Sequence, residues 1–165
     1  MNRLLYVLLA VLVIAAVAII AGTSVQLPPR MASHFGAHGE VNGWSSRESY
    51  ELAMIGIVIG VPLALLAGMA WLPRVGICLR KLPNRQYWLA PERRARTFER
   101  LAAFASVAGC LLVIFLTAIH LIVIEANASP RPALPTAPFI TVMLAFAVAM
   151  IVWAVAYTYG FRRPG

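Results

Sequence analysis

The chain has 165 residues, of which 61% are hydrophobic and only 12% charged, and its mean hydropathy is +0.81. Soluble domains carry roughly 45–50% apolar and roughly 25% charged residues, so this composition excludes an ordinary water-soluble globule. The formal charge of +8 would suit nucleic acid, but no recognition motif accompanies it, and no nucleic-acid partner is expected.

Four apolar runs account for the excess: residues 4–22, 52–72, 101–124 and 139–161. Each approaches or exceeds the ~20 residues that cross a hydrocarbon core at ~1.5 Å per residue. Four such helices in succession leave no amphipathic helix to cover them in water. The expected fold is all-α: an integral membrane four-helix bundle forming one membrane domain over 1–165, with one ordered extracytoplasmic loop. The first run follows a short basic start, Asn2-Arg3. Its apolar stretch is longer than a signal-peptide core, so an uncleaved helix is expected.

Between the first two runs lies LPPRMASHFGAHGEVNGWSSRESY, residues 27–50, read as a turn-rich loop. In the second run, Gly56 and Gly60 stand four apart and offer a face for close helix approach. Pro62 lacks a backbone donor and is expected to kink that helix. Pro73 and Pro83 then break the chain, and Tyr87-Trp88 suit the headgroup region. Pro91 fits the first position of a helix and Glu92 its first turn. The third helix is therefore expected to start at Pro91 and project from the bilayer before reaching residue 124. Arg93, Arg96 and Arg100 share one face of that projection and suit anionic headgroups, or a docking face for a cytoplasmic protein. Residues 126–138 hold Pro130, Pro132, Pro135 and Pro138 and form a short connection.

Charge sets the orientation. Of 14 basic residues, all but Arg30, Arg47 and Arg131 lie at the two termini or in the middle connection. The positive-inside bias then puts both ends in the cytoplasm (N-in/C-in) and residues 27–50 outside.

Three histidines, His34, His38 and His120, fall on the expected outer side with Glu40, Glu48, Glu51 and Glu125. A divalent metal would need three or four converging ligands, and no HExxH-type spacing is present. A proton relay through His120 and Glu125 is a second reading. The leading reading is structural: the histidines hydrogen-bond the loop's own backbone and hold it against the helix ends. Cys78 and Cys110 show no disulfide or zinc spacing. The chain has no aspartate, no GxSxG elbow and no nucleotide or haem signature, so neither enzymatic activity nor a cofactor or metal is expected.

Within the loop, Leu27, Pro28, His34, Phe35, Gly39, Gly43, Trp44 and Ser46 follow a pattern that resembles the bacterial membrane family domain of unknown function 1648, across about 24–72. A second stretch, PNRQYWLAPERRARTFERL, is similar to another part of the same proteins, through Pro83, Asn84, Tyr87, Trp88, Leu89, Pro91, Glu92, Arg93 and Arg94. The chain departs from the pattern at Ala32, Gly36, Asn42 and Arg47, where Pro, Asn, Asp and Lys are usual. The resemblance extends to SdpI-type proteins, longer membrane proteins that confer immunity to a secreted toxin and take part in signalling. It implies an inner-membrane, multi-pass protein of similar character.

The expected function is non-enzymatic: the outer loop senses or binds a peptide or envelope component, and the basic segment anchors to anionic lipid or passes the response to a cytoplasmic protein. Candidate residues are His34, Phe35, His38, Gly39, Gly43 and Trp44 outside, with Phe35 and Trp44 pinning the loop to the interface. Inside, they are Pro83, Asn84, Tyr87, Trp88, Pro91, Glu92 and Arg93. A small transporter or transporter subunit is one alternative, and a metal-dependent membrane enzyme the other.

Overall fold

The computed structural model describes residues 2–75 and 84–162. Pro83 and Cys78 lie outside the described residues. The order is α1 (Asn2–Ser24), β1 (Arg30–Phe35), β2 (Val41–Ser46), α2 (Arg47–Val75), α3 (Arg85–Trp88), α4 (Arg94–Asn127) and α5 (Thr136–Gly160). Of these helices, α1, α2, α4 and α5 are long and apolar enough to cross a membrane.

The long helices outrun their apolar cores because polar residues at their ends still find partners. At the start of α2 the Ser49 amide donates to Ser46 Oγ at 3.1 Å, an N-cap bond that lets Arg47–Tyr50 join the helix. At the far end of α4 the side chain of Asn127 donates back to Val123 O at 3.0 Å. The start of α4 differs from the expectation built on Pro91. Residues 91–93 form a turn, with the Arg93 and Arg94 amides both donating to Ala90 O, and the helix begins at Arg94. The continuous α2 also runs past Pro62 and Pro73 rather than ending at the second proline.

α4 is the central post. α1 and α2 pack against it and against each other, whereas α5 packs chiefly on α4. Gly109 lies where α1 and α2 meet α4: a Cβ there would lie 3.3 Å from the Leu9 side chain and 3.7 Å from Pro62. The expected small-residue contact thus sits on α4. Gly56 and Gly60 meet nothing within 4 Å of where a Cβ would stand. The main core joins Leu9, Ile20, Val58, Val113 and Val123 to Leu27 and Met31 from the segment after α1. α5 has no buried residue, and an apolar cleft of about 210 Å³ runs between it and α4 around Phe115 and Phe146.

The segment read from sequence as an irregular loop is an antiparallel hairpin. In β2, Val41, Gly43 and Ser45 alternate with more exposed neighbours. In β1, irregularities between Ala32 and His34 and between His34 and Phe35 break the alternation, and Met31 and Phe35 pack into the main core. The hairpin thereby lies as a lid over one end of the bundle.

Candidate functional site

The hairpin turn is built by glycine. Gly39 has φ +83°, a left-handed conformation that costs a side-chain-bearing residue roughly 1–2 kcal/mol. Its carbonyl accepts the Leu134 amide at 3.0 Å, tying the turn to the α4–α5 connection. The Gly36 amide donates to Glu40 O at 2.7 Å, and the His38 amide to Glu40 Oε2 at 3.0 Å. Gly43 pairs with His34, and a Cβ on Gly43 would stand 2.9 Å from His34 Cβ, so the histidine needs glycine opposite it.

The strand edges differ in a way the register explains. Arg30 faces Ser46, Met31 faces Ser45 and Ala32 faces Trp44. The Arg47 amide donates to Pro29 O at 3.1 Å, which puts this pair at a ladder-bonded position with the single bond that proline, lacking an amide proton, allows. Alternation makes Met31/Ser45 the next such pair and turns the backbone groups of Ala32 and Trp44 away from each other. On the β1 side Asn127 receives them. The Ala32 amide donates to Asn127 Oδ1 at 2.8 Å, and Asn127 Nδ2 donates to Ala32 O at 3.0 Å. One side-chain amide thus does the work of a third strand. On the β2 side the same alternation turns the Trp44 amide and carbonyl outward, away from β1. Trp44 is 49% exposed, with the Arg30 guanidinium 5.7 Å from the ring centre.

Beneath the hairpin, the fully buried His120 joins three helices. Its Nε2 lies 2.7 Å from Thr23 Oγ1 on α1 and its Nδ1 lies 3.1 Å from Tyr50 OH on α2. Thr23 Oγ1 donates its only proton to Ile19 O at 2.6 Å. It must therefore accept from Nε2–H, which leaves Nδ1 to accept from Tyr50. This assignment, inferred from the network, is a neutral imidazole with both nitrogens satisfied. The Oγ atoms of Ser24, Ser33 and Ser45 are also buried, without a protein partner.

The sequence reading placed the loop-holding bonds on the three histidines. Among the described residues the rings of His34 and His38 make no hydrogen bond; Asn127 holds the strand, and the enclosed His120 joins helix side chains rather than the loop backbone. Phe35 faces the core rather than the interface. Nor do the histidines and carboxylates converge: no group of three or more metal-ligating side chains occurs among the described residues.

At the opposite end the second motif closes on the C-terminal end of α5. Trp88 Nε1 donates to Phe161 O at 2.9 Å, and Asn84 Nδ2 reaches the same oxygen at 3.5 Å. Asn84 has φ 52°, which asparagine tolerates better than most residues. Thr97 Oγ1 donates to Trp88 O at 2.7 Å. Arg93 covers the Tyr87 ring at 4.2 Å, and Arg100 lies 5.5 Å from both the Trp88 and Phe161 rings. Two of the three arginines on the basic face are thus committed to aromatic rings, while Pro91 and Glu92 remain exposed in the turn.

Comparison with known families agrees with the loop motif. The family Domain of unknown function (DUF1648) matches residues 9–60, from within α1 through the whole hairpin into α2. Residues 9–60 are the part of the chain that is similar to DUF1648. The match ends before the Asn84–Trp88 motif. No curated protein and no solved structure matches the chain. With four candidate spans, the chain is a multi-pass membrane protein built around a DUF1648-like hairpin.

Proposed function

We propose that this protein is a non-enzymatic membrane sensor: the hairpin faces the extracytoplasmic side of a bacterial inner membrane and binds a peptide or envelope component there. The basic end, in the cytoplasm, relays the change to a protein partner while resting on anionic headgroups. A toxin-immunity-like role of the SdpI type falls within this reading.

One observation carries the proposal. The hairpin is bolted through Asn127 to α4, and α4 continues without a break for 34 residues to the basic end, where Thr97 and Arg100 hold the Trp88–Phe161 contact. A shift of the hairpin therefore has a rigid element to move. Buried polar bonds at both ends give that element defined partners, a physical route for coupling two sites.

A photo-crosslinking amino acid at position 38, on the exposed turn, tests it in intact cells. The expected result is a discrete covalent adduct with an extracytoplasmic polypeptide or envelope component. Absence of any adduct from a correctly inserted protein, together with protein-dependent ion flux in vesicles, would replace sensing with transport.

A further inference from the structure

We propose that the β2 edge pairs with the β2 edge of a second copy of this chain, giving a two-fold dimer with a four-stranded sheet centred on Trp44. An exposed strand edge is a template for another strand, and proteins normally blunt it with charge, proline or a cover. β1 is covered by the Asn127 amide. β2, VNGWSS, carries no charge and no proline, and its outward Trp44 amide and carbonyl match what Asn127 satisfies at Ala32.

The occupant follows from symmetry. Two antiparallel strands are related by a two-fold axis perpendicular to their sheet, and a membrane dimer of like-oriented copies requires an axis along the bilayer normal. Such a dimer requires the sheet to lie across the helix ends, where Met31 and Phe35 set the hairpin on the core, so that the two axes coincide. With Trp44 opposite Trp44 of the second copy, each amide donates to the other's carbonyl and the two indoles come side by side, a favourable cross-strand aromatic pair. Within VNGWSS no charges meet; beyond its ends Val41 faces Arg47, and Glu40 faces Glu48, of the second copy. The membrane part agrees: α2, which leaves β2 directly, leaves Gly56, Gly60 and Ala64 exposed, the spacing that allows close approach of helices.

The test uses the full chain in lipid nanodiscs and membranes. Wild-type protein should have the mass of two chains. With Cys78→Ala and Cys110→Ala in place, Trp44→Cys should oxidise to a disulfide-linked dimer severalfold more than Ser129→Cys at the same end of the bundle. Trp44→Pro removes an amide that the β1–β2 ladder does not use, so the hairpin should persist while the dimer is lost. Trp44→Ala, which keeps the amide, should retain the dimer in weakened form. A one-chain mass for the wild type, crosslinking at 44 no better than at 129, or a dimer that survives Trp44→Pro would overturn the proposal. So would capture of a different polypeptide at position 44. None of these outcomes bears on ligand binding at the turn, which position 38 reports.

Discussion

Asn127 and Ala32, 95 positions apart in the chain, exchange two hydrogen bonds in the manner of paired strand residues. Asn127→Ala leaves the buried amide and carbonyl of Ala32 without partners. A loss of about 2–3 kcal/mol is expected, since an unsatisfied buried group costs roughly 1–3 kcal/mol. Thermal unfolding in detergent measures it. Limited proteolysis should show cuts within 30–46 appearing before any within the helices.

His120 offers a separate test of transport. Interhelical hydrogen bonds in membranes average about 0.6 and reach about 1.7 kcal/mol. A double-mutant cycle of Tyr50→Phe with His120→Ala should give a coupling of that size. Because both ring nitrogens are already engaged, proteoliposomes carrying the wild type should leak protons no faster than empty vesicles. A protein-dependent flux abolished by His120→Ala would establish a transporter.

Two glycines should respond oppositely to alanine. Gly39→Ala meets a left-handed backbone and the Leu134 carbonyl 3.0 Å from the new Cβ, so a loss of at least about 1–2 kcal/mol is expected. Gly22→Ala, in α1 with nothing within 4 Å, should leave stability unchanged or raise it by up to about 1 kcal/mol.

At the basic end, Trp88→Phe retains a ring against Phe161 but deletes the donor to its carbonyl. That should cost about 1 kcal/mol, and the larger deletion Trp88→Ala about 2–3 kcal/mol, given partial burial. Hydrogen exchange at the Phe161 amide, bonded to Tyr157 O, should quicken in both variants. Amides in the middle of α5 should not change.

Orientation is checked by cysteine labelling in intact cells with a membrane-impermeant reagent. His38→Cys should react from outside and Glu92→Cys only after the cells are opened. The reverse pattern would invert the sensor.

The spans were legible because twenty consecutive apolar residues leave few alternatives to a membrane helix. Their ends were not, because capping by Ser46 and back-bonding by Asn127 depend on local geometry rather than hydropathy. The hairpin had a readable signal in the alternation of Val41, Gly43 and Ser45 and in the glycine-bearing turn before it, while in β1 the irregularities around His34 blur it. Reading that stretch as a loop followed its glycines and missed the period of two. Thr23, Tyr50 and Asn127 could not be found that way. Each is an ordinary polar residue near a helix end, and its role exists only once partners 70 to 97 positions away are brought alongside.

The bareness of α5 has a consequence for how this sequence can drift. With no side chain enclosed by protein, most of that helix answers only to acyl chains, which discriminate little among Leu, Ile, Val, Met and Ala. Among homologues, the exposed positions Ile140, Met143, Leu144 and Val148 should therefore vary freely within that set, whereas Phe146, stacked on Phe115 at 4.2 Å, should not. Phe161, which the Trp88 indole holds, should remain fixed.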